Sequence, residues 1–147
     1  MSATVTVSTE LPIDAEQACR LALKPALLEH VLWPWLALEP LDPLPERLGE
    51  GDVVRARLRP LCLLPGWTHT LRLERIRPRE IASREHGGPV SAWNHRLTFE
   101  PLEAGSCRYT DTVEVRAGAA TWAVALFARL IYRYRQMRWR ALARVLS

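Results

Sequence analysis

The sequence has few cysteines, and their spacing excludes two common ways of stabilising a small fold. Cys19, Cys62 and Cys107 are far apart, are odd in number and belong to no CxxC or CxxH pattern. We therefore expect neither a disulfide framework nor a zinc ribbon. Since free thiols are typical of reducing compartments, this cysteine usage favours a cytoplasmic protein.

Long hydrophobic runs are also missing. The N-terminus, MSATVTVSTELP, has no basic segment followed by an apolar one, so no signal peptide is expected. The longest uncharged apolar stretch, AGAATWAVALFA at 117–128, has 12 residues, whereas a helix that spans a membrane takes about 20. We therefore predict no integral membrane contact, and one domain over residues 1–147 that is long enough to bury a core.

Several motifs that carry chemistry are absent from the sequence. It contains no glycine-rich phosphate loop, no nucleophile elbow and no HExxH motif. Patterns of the RNP, helix-turn-helix and zinc-finger types are absent too, so no nucleic-acid partner is predicted. No cofactor is predicted either.

Negative charge is missing from the C-terminal part of the chain. No acidic residue follows Glu114, but seven arginines do. Four of them, Arg129, Arg133, Arg140 and Arg144, fall within one arc of a predicted helix. Such an arc is either a solvated basic face or a weak contact site for an anionic surface.

What the sequence does contain is alternation with a period of two, the pattern of strands with one buried face. In SAWNHRLTFE at 91–100, Trp93, His95, Leu97 and Phe99 share one side, and histidine is the one titratable member of this apolar set. Other strands predicted on the same grounds place these residues on the buried face: Val54, Ala56 and Leu58; Trp67, His69, Leu71 and Leu73; Tyr109, Asp111, Val113 and Val115.

Helix signals frame these strands. Asp14 with Gln17 three residues later predicts the start of a first short helix, and Pro25 can open a second one that must end or bend at Pro34. A long helix is predicted from about residue 119 to 146. Its predicted buried stripe, which would cover the sheet, consists of Ala123, Phe127, Leu130, Tyr134, Met137, Ala141 and Val145.

This layout and several local segments resemble the START-like, or SRPBCC, superfamily, and in particular a group of its small bacterial ligand-binding members. The segments are GWTH at 66–69, RPRE at 77–80, GGPV at 87–90, WNHRLTF at 93–99, TDTVEV at 110–115 and YRYRQMRWRAL at 132–142. In that group the central strand typically reads W-x-H-x-H-x-F, and Leu97 here replaces the second histidine. The resemblance implies an α+β helix-grip fold, in which a twisted antiparallel sheet wraps around a long C-terminal helix and two short helices follow the first strand. It also implies a hydrophobic pocket between sheet and helix, but no particular reaction.

Strand pairing places the titratable groups relative to one another. With one hairpin turning through 101–106 and another at Gly87-Gly88, registers that fit the alternation put His95 opposite Asp111 and Ile81 opposite His95. His69 is predicted opposite Gly87, roughly 20 Å along the strands from His95 at about 3.3 Å per residue. We therefore predict that His69, His95 and Asp111 do not converge on a metal ion.

These predictions define a candidate ligand site in the pocket. The predicted ligand-binding residues are Trp67, Leu71, Ser83, Trp93, His95, Tyr109, Asp111, Phe127, Leu130 and Tyr134, with Trp33 or Trp35 as further lining residues. Each tryptophan fits a core position equally well. His95 and Asp111 are either a ligand contact, an acid–base pair, or a structural pair that joins two strands and bonds to Tyr132 or Tyr134.

The leading hypothesis for function is therefore binding of a hydrophobic or aromatic small molecule, of lipid or polyketide type. The alternative is an enzyme of the polyketide cyclase, aromatase or dehydratase type, with His95 and Asp111 as its catalytic residues.

Overall fold

Seven alternating segments form a single antiparallel sheet in a computed structural model of the chain. The structure describes residues 1–61, 63–103 and 105–147, so Cys62 lies outside the described residues. The strands are β1 Ala3–Leu11, β2 Leu36–Pro40, β3 Val53–Pro60, β4 Trp67–Arg77, β5 Glu80–Gly87, β6 Val90–Pro101 and β7 Cys107–Arg116. Their order in the sheet is β1-β7-β6-β5-β4-β3-β2. The first strand therefore pairs with the last, and β1 and β2 form the two edges.

Three α-helices accompany the sheet: α1 Ala15–Ala22, α2 Pro25–Leu32 and the 26-residue α3 Thr121–Leu146. The predicted cap of α1 is confirmed, because the Asp14 carboxylate accepts hydrogen bonds from the backbone N–H groups of Glu16 and Gln17. Pro25 occupies the first position of α2, and that helix ends two residues before Pro34, as predicted. The sheet, the two short helices and the long terminal helix are those of the predicted α+β helix-grip fold.

The predicted strand faces are also confirmed. Tyr109, Asp111, Val113 and Val115 of β7 are all fully buried, while their even-numbered neighbours are not. On β3, Ala56 is buried between exposed arginines. The alternation therefore identified the side of each strand that faces α3.

The predicted registers are wrong by two residues in two hairpins. Asp111 pairs with Leu97, and His95 pairs with Val113, because Pro101 pairs with Cys107 across a connection at 102–106. On the other side of β6, Ser83 rather than Ile81 pairs with His95, and the register shifts between Glu85 and Gly87. Each register is shifted by an even number of residues, so every side chain keeps its predicted face. The predicted pairing of His69 with Gly87 is confirmed.

The predicted buried stripe of α3 is wrong. Leu130 is 60% exposed and Val145 is 80% exposed, and Phe127 and Met137 are also exposed. The buried face consists of Thr121, Ala125, Ala128, Ile131, Tyr132, Arg135, Gln136, Trp139 and Ala143. Small alanines let the helix approach the sheet closely, and Arg135 and Gln136 are buried because they lie near the buried Asp111 carboxylate.

No helix in the described parts of the chain is long and apolar enough to cross a membrane. Cys19 and Cys107 are unpaired and buried, and burial raises the pKa of each thiol to about 11. Neither thiol is therefore reactive at neutral pH.

Candidate functional site

The concave face of the sheet and the helices α2 and α3 enclose a cavity of about 440 Å³. Its wall is mostly aliphatic and aromatic, as is usual for small-molecule sites. The cavity is partly open to the surface, and several lining residues, among them Glu29 and Phe127, are exposed. Apolar lining residues are Leu28, Leu32, Leu36, Leu38, Val54, Ala56, Leu58, Leu71, Leu73, Ile81, Val90, Leu97, Val124, Phe127 and Ile131.

Six of the ten predicted ligand-binding residues line this cavity: Trp67, Leu71, Ser83, Trp93, His95 and Phe127. The other four do not. Asp111 and Tyr109 lie deeper in the core and are fully buried, and Leu130 faces outward. Tyr134 donates a hydrogen bond from its hydroxyl to the Trp33 carbonyl, 2.7 Å away, and Trp33 and Trp35 are exposed.

Asp111 is the centre of a closed group of hydrogen bonds, which we call the Asp111 cluster (His95, Tyr109, Asp111 and Gln136). The His95 Nε2 lies 2.7 Å from Asp111 Oδ1, and the Tyr109 hydroxyl donates to the same oxygen at 2.7 Å. Gln136 Nε2 donates to Asp111 Oδ2 at 3.0 Å and to the Val7 carbonyl at 2.7 Å. Both carboxylate oxygens are therefore satisfied without water.

The predicted neighbourhood of His95 and Asp111 is thus confirmed, although the register that led to it is wrong. The two residues are diagonal rather than directly opposite, and their side chains still reach each other across the strands. Burial alone would raise the pKa of Asp111, but the hydrogen bond from His95 and the positive charge of Arg135 outweigh it and hold that pKa below its ordinary value. Asp111 is therefore an ionised carboxylate in the core.

Glu85 is a site residue that the sequence prediction missed. Its Oε1 lies 3.0 Å from His69 Nε2, and its Oε2 accepts a hydrogen bond from the Ser83 hydroxyl at 2.8 Å and lies 3.8 Å from His95 Nδ1. Burial would raise the pKa of Glu85, but the hydrogen bond from His69 and the nearby His95 lower it overall. The signal was present, since Glu85 has the same parity along β5 as the buried Ile81 and Ser83.

Glu85 also corrects the predicted separation of the two histidines. The partners of His69 and His95 on β5 are Gly87 and Ser83, which are four residues apart rather than the predicted six, and Glu85 lies midway between them. One carboxylate therefore contacts both imidazoles. Among the described residues, no group of three or more His, Cys, Asp or Glu side chains is arranged to hold a metal ion.

Arg135 is the second residue that the sequence prediction missed. It projects from α3 into the cavity wall with 7% of its surface exposed, and its guanidinium carbon lies 4.9 Å from the centre of the Tyr132 ring. Burial opposes its charge, but the acidic groups around it, including Asp111 and Glu85, raise its pKa above the ordinary value. Arg135 is therefore a buried cation, and no pattern in the sequence distinguishes it from the six other C-terminal arginines.

Aromatic residues hold the polar end of the cavity in place. Tyr132 stacks on the His95 ring at 4.8 Å and accepts a hydrogen bond from Trp93 Nε1 at 2.7 Å. Gly88 adopts a φ of 53° against the Trp67 indole, and a Cβ atom there would lie 2.5 Å from the ring. The predicted structural contact between His95 and a helix tyrosine is thus a ring stack rather than a hydrogen bond.

The four arginines of the predicted basic arc, Arg129, Arg133, Arg140 and Arg144, are all exposed on α3. Trp122, Leu126 and Leu130 are exposed on the same helix. The outer face of α3 is therefore both basic and apolar.

Comparison with known proteins identifies the fold. No protein-family model and no curated protein matches the sequence. Solved structures do match: a START superfamily protein from Mycobacterium smegmatis superposes with a TM-score of 0.72 at 12% identity, over 98% of this chain and 99% of that one. This chain has the START-like fold. A protein from Chromobacterium violaceum (TM-score 0.77, 16% identity, 95% and 96% of the two chains) and one from Thermus thermophilus (TM-score 0.74, 16% identity, 99% of both chains) share it. The predicted superfamily resemblance is thus confirmed at the level of the fold.

Proposed function

We propose that the protein binds a hydrophobic or aromatic small molecule, of lipid or polyketide type, in the cavity between the sheet and α3. The observation that carries this proposal is the cavity itself, about 440 Å³ of mostly apolar wall that reaches the surface. Burying an apolar ligand there is favourable by about 25 cal/mol per Å² of surface removed from water. The superfamily that shares this fold includes lipid carriers and polyketide cyclases, which is consistent with the proposal.

Titration with N-phenyl-1-naphthylamine, an uncharged dye that fluoresces in apolar surroundings, tests this proposal. We expect saturable binding of one dye per chain. Ala56 is buried and lines the cavity, so Ala56→Phe fills the space and should weaken binding at least about tenfold, or about 1.4 kcal/mol.

The matched control is Ala82→Phe, because Ala82 lies on the opposite face of the sheet and is absent from the cavity lining. This variant should bind the dye as the natural protein does. No saturable binding, or equal binding by Ala56→Phe, would contradict the proposed function.

A second candidate function is an enzyme of the cyclase, aromatase or dehydratase type. It is favoured by one observation: His95 lines the cavity while Asp111, behind it, orients the imidazole at 2.7 Å. On this proposal, His95→Gln abolishes turnover of a polyketide-like substrate and leaves folding and dye affinity nearly unchanged. A large loss of stability in the variant instead indicates a structural pair.

We also propose a weak contact between the outer face of α3 and an anionic lipid surface, in a protein that works in the reducing cytoplasm. The exposed arginines and the exposed Trp122 and Leu126 support it. Co-sedimentation with vesicles containing phosphatidylglycerol should exceed that with phosphatidylcholine alone and should fall as salt rises. Equal sedimentation with both vesicle types would contradict this contact.

A further inference from the structure

Arg135 is a buried cation without a hydrogen-bonding partner. Its Nε is buried and unpaired, and the guanidinium makes no hydrogen bond or salt bridge within residues 1–61, 63–103 and 105–147. The Tyr132 ring contacts it, but a ring accepts no conventional hydrogen bond from the edge of the guanidinium. Buried charged donors in proteins are normally hydrogen-bonded. An acceptor that reaches the guanidinium would therefore come from the cavity that Arg135 lines.

The buried side-chain atoms that lack a partner in the described parts of the chain all belong to residues that line this one cavity. Within the described residues, three buried side-chain atoms have no hydrogen-bond partner: Trp67 Nε1, His69 Nδ1 and Arg135 Nε. All three side chains line the cavity. Two of these atoms, the indole and guanidinium nitrogens, can only donate. The lining therefore offers hydrogen bonds chiefly to an oxygen acceptor.

The fixed charges around the cavity decide which kind of acceptor fits. Glu85 and Asp111 each carry a negative charge, and both act on Arg135, the one buried arginine or lysine in the described parts of the chain. Two buried carboxylates therefore already lie near Arg135. A ligand carboxylate would be a third negative group in this buried place, whereas a carbonyl oxygen accepts from Arg135 and adds no charge.

We propose that the ligand of this cavity is a largely apolar molecule that carries an uncharged carbonyl group, and that Arg135 binds the carbonyl oxygen. This inference rests on the proposed ligand-binding function. It names the substrate class of the same site as neutral ketones, aldehydes, quinones or esters rather than hydrocarbons or carboxylic acids.

Three rigid compounds of one shape test the proposal: fluorene, 9-fluorenone and fluorene-9-carboxylate. Fluorenone is less hydrophobic than fluorene, so a purely apolar cavity would prefer fluorene. Because a hydrogen bond to a charged donor is worth about a factor of ten or more, we expect fluorenone to bind about tenfold more tightly than fluorene. The carboxylate should bind most weakly. The measurement is competition against N-phenyl-1-naphthylamine at pH 7.

The variant Arg135→Lys keeps the positive charge but removes Nε and the planar fork of donors. Because an ammonium group replaces the fork of donors, the variant should reduce the preference for fluorenone and leave fluorene affinity within about twofold. Arg138→Lys is the matched control, because Arg138 also lies over a tyrosine of α3, Tyr134 at 6.0 Å, but does not line the cavity. This control should keep the full preference.

A second readout needs no variant, in case Arg135→Lys does not fold. The carbonyl stretching band of ¹³C-labelled fluorenone should move to lower wavenumber in the natural protein than in hexane, as it does on hydrogen bonding. An unshifted band, fluorene binding as tightly as fluorenone, or tighter binding of the carboxylate would each overturn the inference. If neither fluorene nor fluorenone binds, the proposed function fails as well. If fluorene binds as tightly as fluorenone, the proposed function stands and only this inference fails.

Discussion

The polar groups beneath α3 fall into two regions that differ in how completely they are paired. In the Asp111 cluster, Asp111 alone receives bonds from three side chains, and none of the buried unpaired atoms of the described residues belongs to the cluster. A second region, which we call the cavity group (Trp67, His69, Glu85 and Arg135), contains the three unpaired buried atoms of the described chain. His95 connects the two, with Asp111 on one ring nitrogen and Glu85 near the other.

The difference between these regions indicates how the protein separates stability from binding. A buried cluster of this kind fixes β6, β7, β1 and α3 relative to one another, and its central carboxylate, Asp111, has no bonding capacity left for a ligand. A partly paired group beside an apolar cavity retains that capacity. Changes in the Asp111 cluster should therefore affect mainly folding, and changes in the cavity group should affect mainly ligand preference.

The largest expected effect is that of Asp111→Ala. It leaves the polar groups of His95, Tyr109 and Gln136 unpaired in the core, so the free energy of unfolding should fall by about 3–5 kcal/mol. Urea unfolding followed by circular dichroism measures it. Asp42→Ala is the matched control, since Asp42 forms an exposed pair with Arg55 and its loss should change stability little. Equal effects of the two substitutions would contradict the comparison.

A smaller loss is expected from Gln136→Leu. This nearly isosteric change removes the bonds to the Val7 carbonyl and to Asp111 Oδ2, at a cost of about 1–3 kcal/mol. The same urea experiment applies, together with dye titration. Loss of dye affinity without loss of stability would place Gln136 in the binding region instead.

Acid should weaken the folded state through both buried carboxylates. The pKa values of Asp111 and Glu85 are lower in the folded protein than in the unfolded chain, so the unfolded chain takes up protons first as the pH falls. Their stabilising contribution is complete above the unfolded values of about 4 and is lost as the pH falls below them toward the folded values. Urea midpoints measured in steps from pH 7 to pH 3 should decline at the acid end. Glu85→Gln should reduce this decline, and an unchanged decline in that variant would contradict the role of Glu85.

The smallest effect is expected on the convex face of the sheet. Arg84 Nε lies 3.0 Å from Glu74, but both side chains are well exposed, and such pairs contribute about 0.5 kcal/mol or less. Arg84→Ala should therefore leave the urea midpoint and the dye affinity nearly unchanged. A loss comparable to that of Gln136→Leu would show that pairing alone, rather than buried pairing, sets stability.

Much of the fold could be predicted from the sequence because it depends on local patterns. Strand faces follow from alternation, and the starts of α1 and α2 follow from Asp14 and Pro25. Register could not be predicted, since it depends on the length of the 102–106 connection and on the irregularity near Gly87.

The helix face and the site were harder to predict for a different reason. Two periodicities overlap in α3, and the one chosen from the sequence avoids charged residues, whereas the buried face includes Arg135. The correct face combines alanines with Arg135 and Gln136, which look unfit for burial until Asp111 is known to lie beneath them. A polar residue can be buried only where another part of the fold supplies a partner for it. A partner on a strand that is distant in the sequence leaves no local signal.

The most direct test of a ligand cavity is to locate a bound apolar molecule by nuclear Overhauser effects, using protein with ¹³C-labelled methyl groups and fluorene as the ligand. Contacts are expected with the methyl groups of Leu71, Leu73 and Ile81, which line the cavity from β4 and β5. Contacts confined to Leu126 and Leu130, on the exposed face of α3, would contradict the account, because fluorene would then bind the outer surface and the cavity would have no ligand.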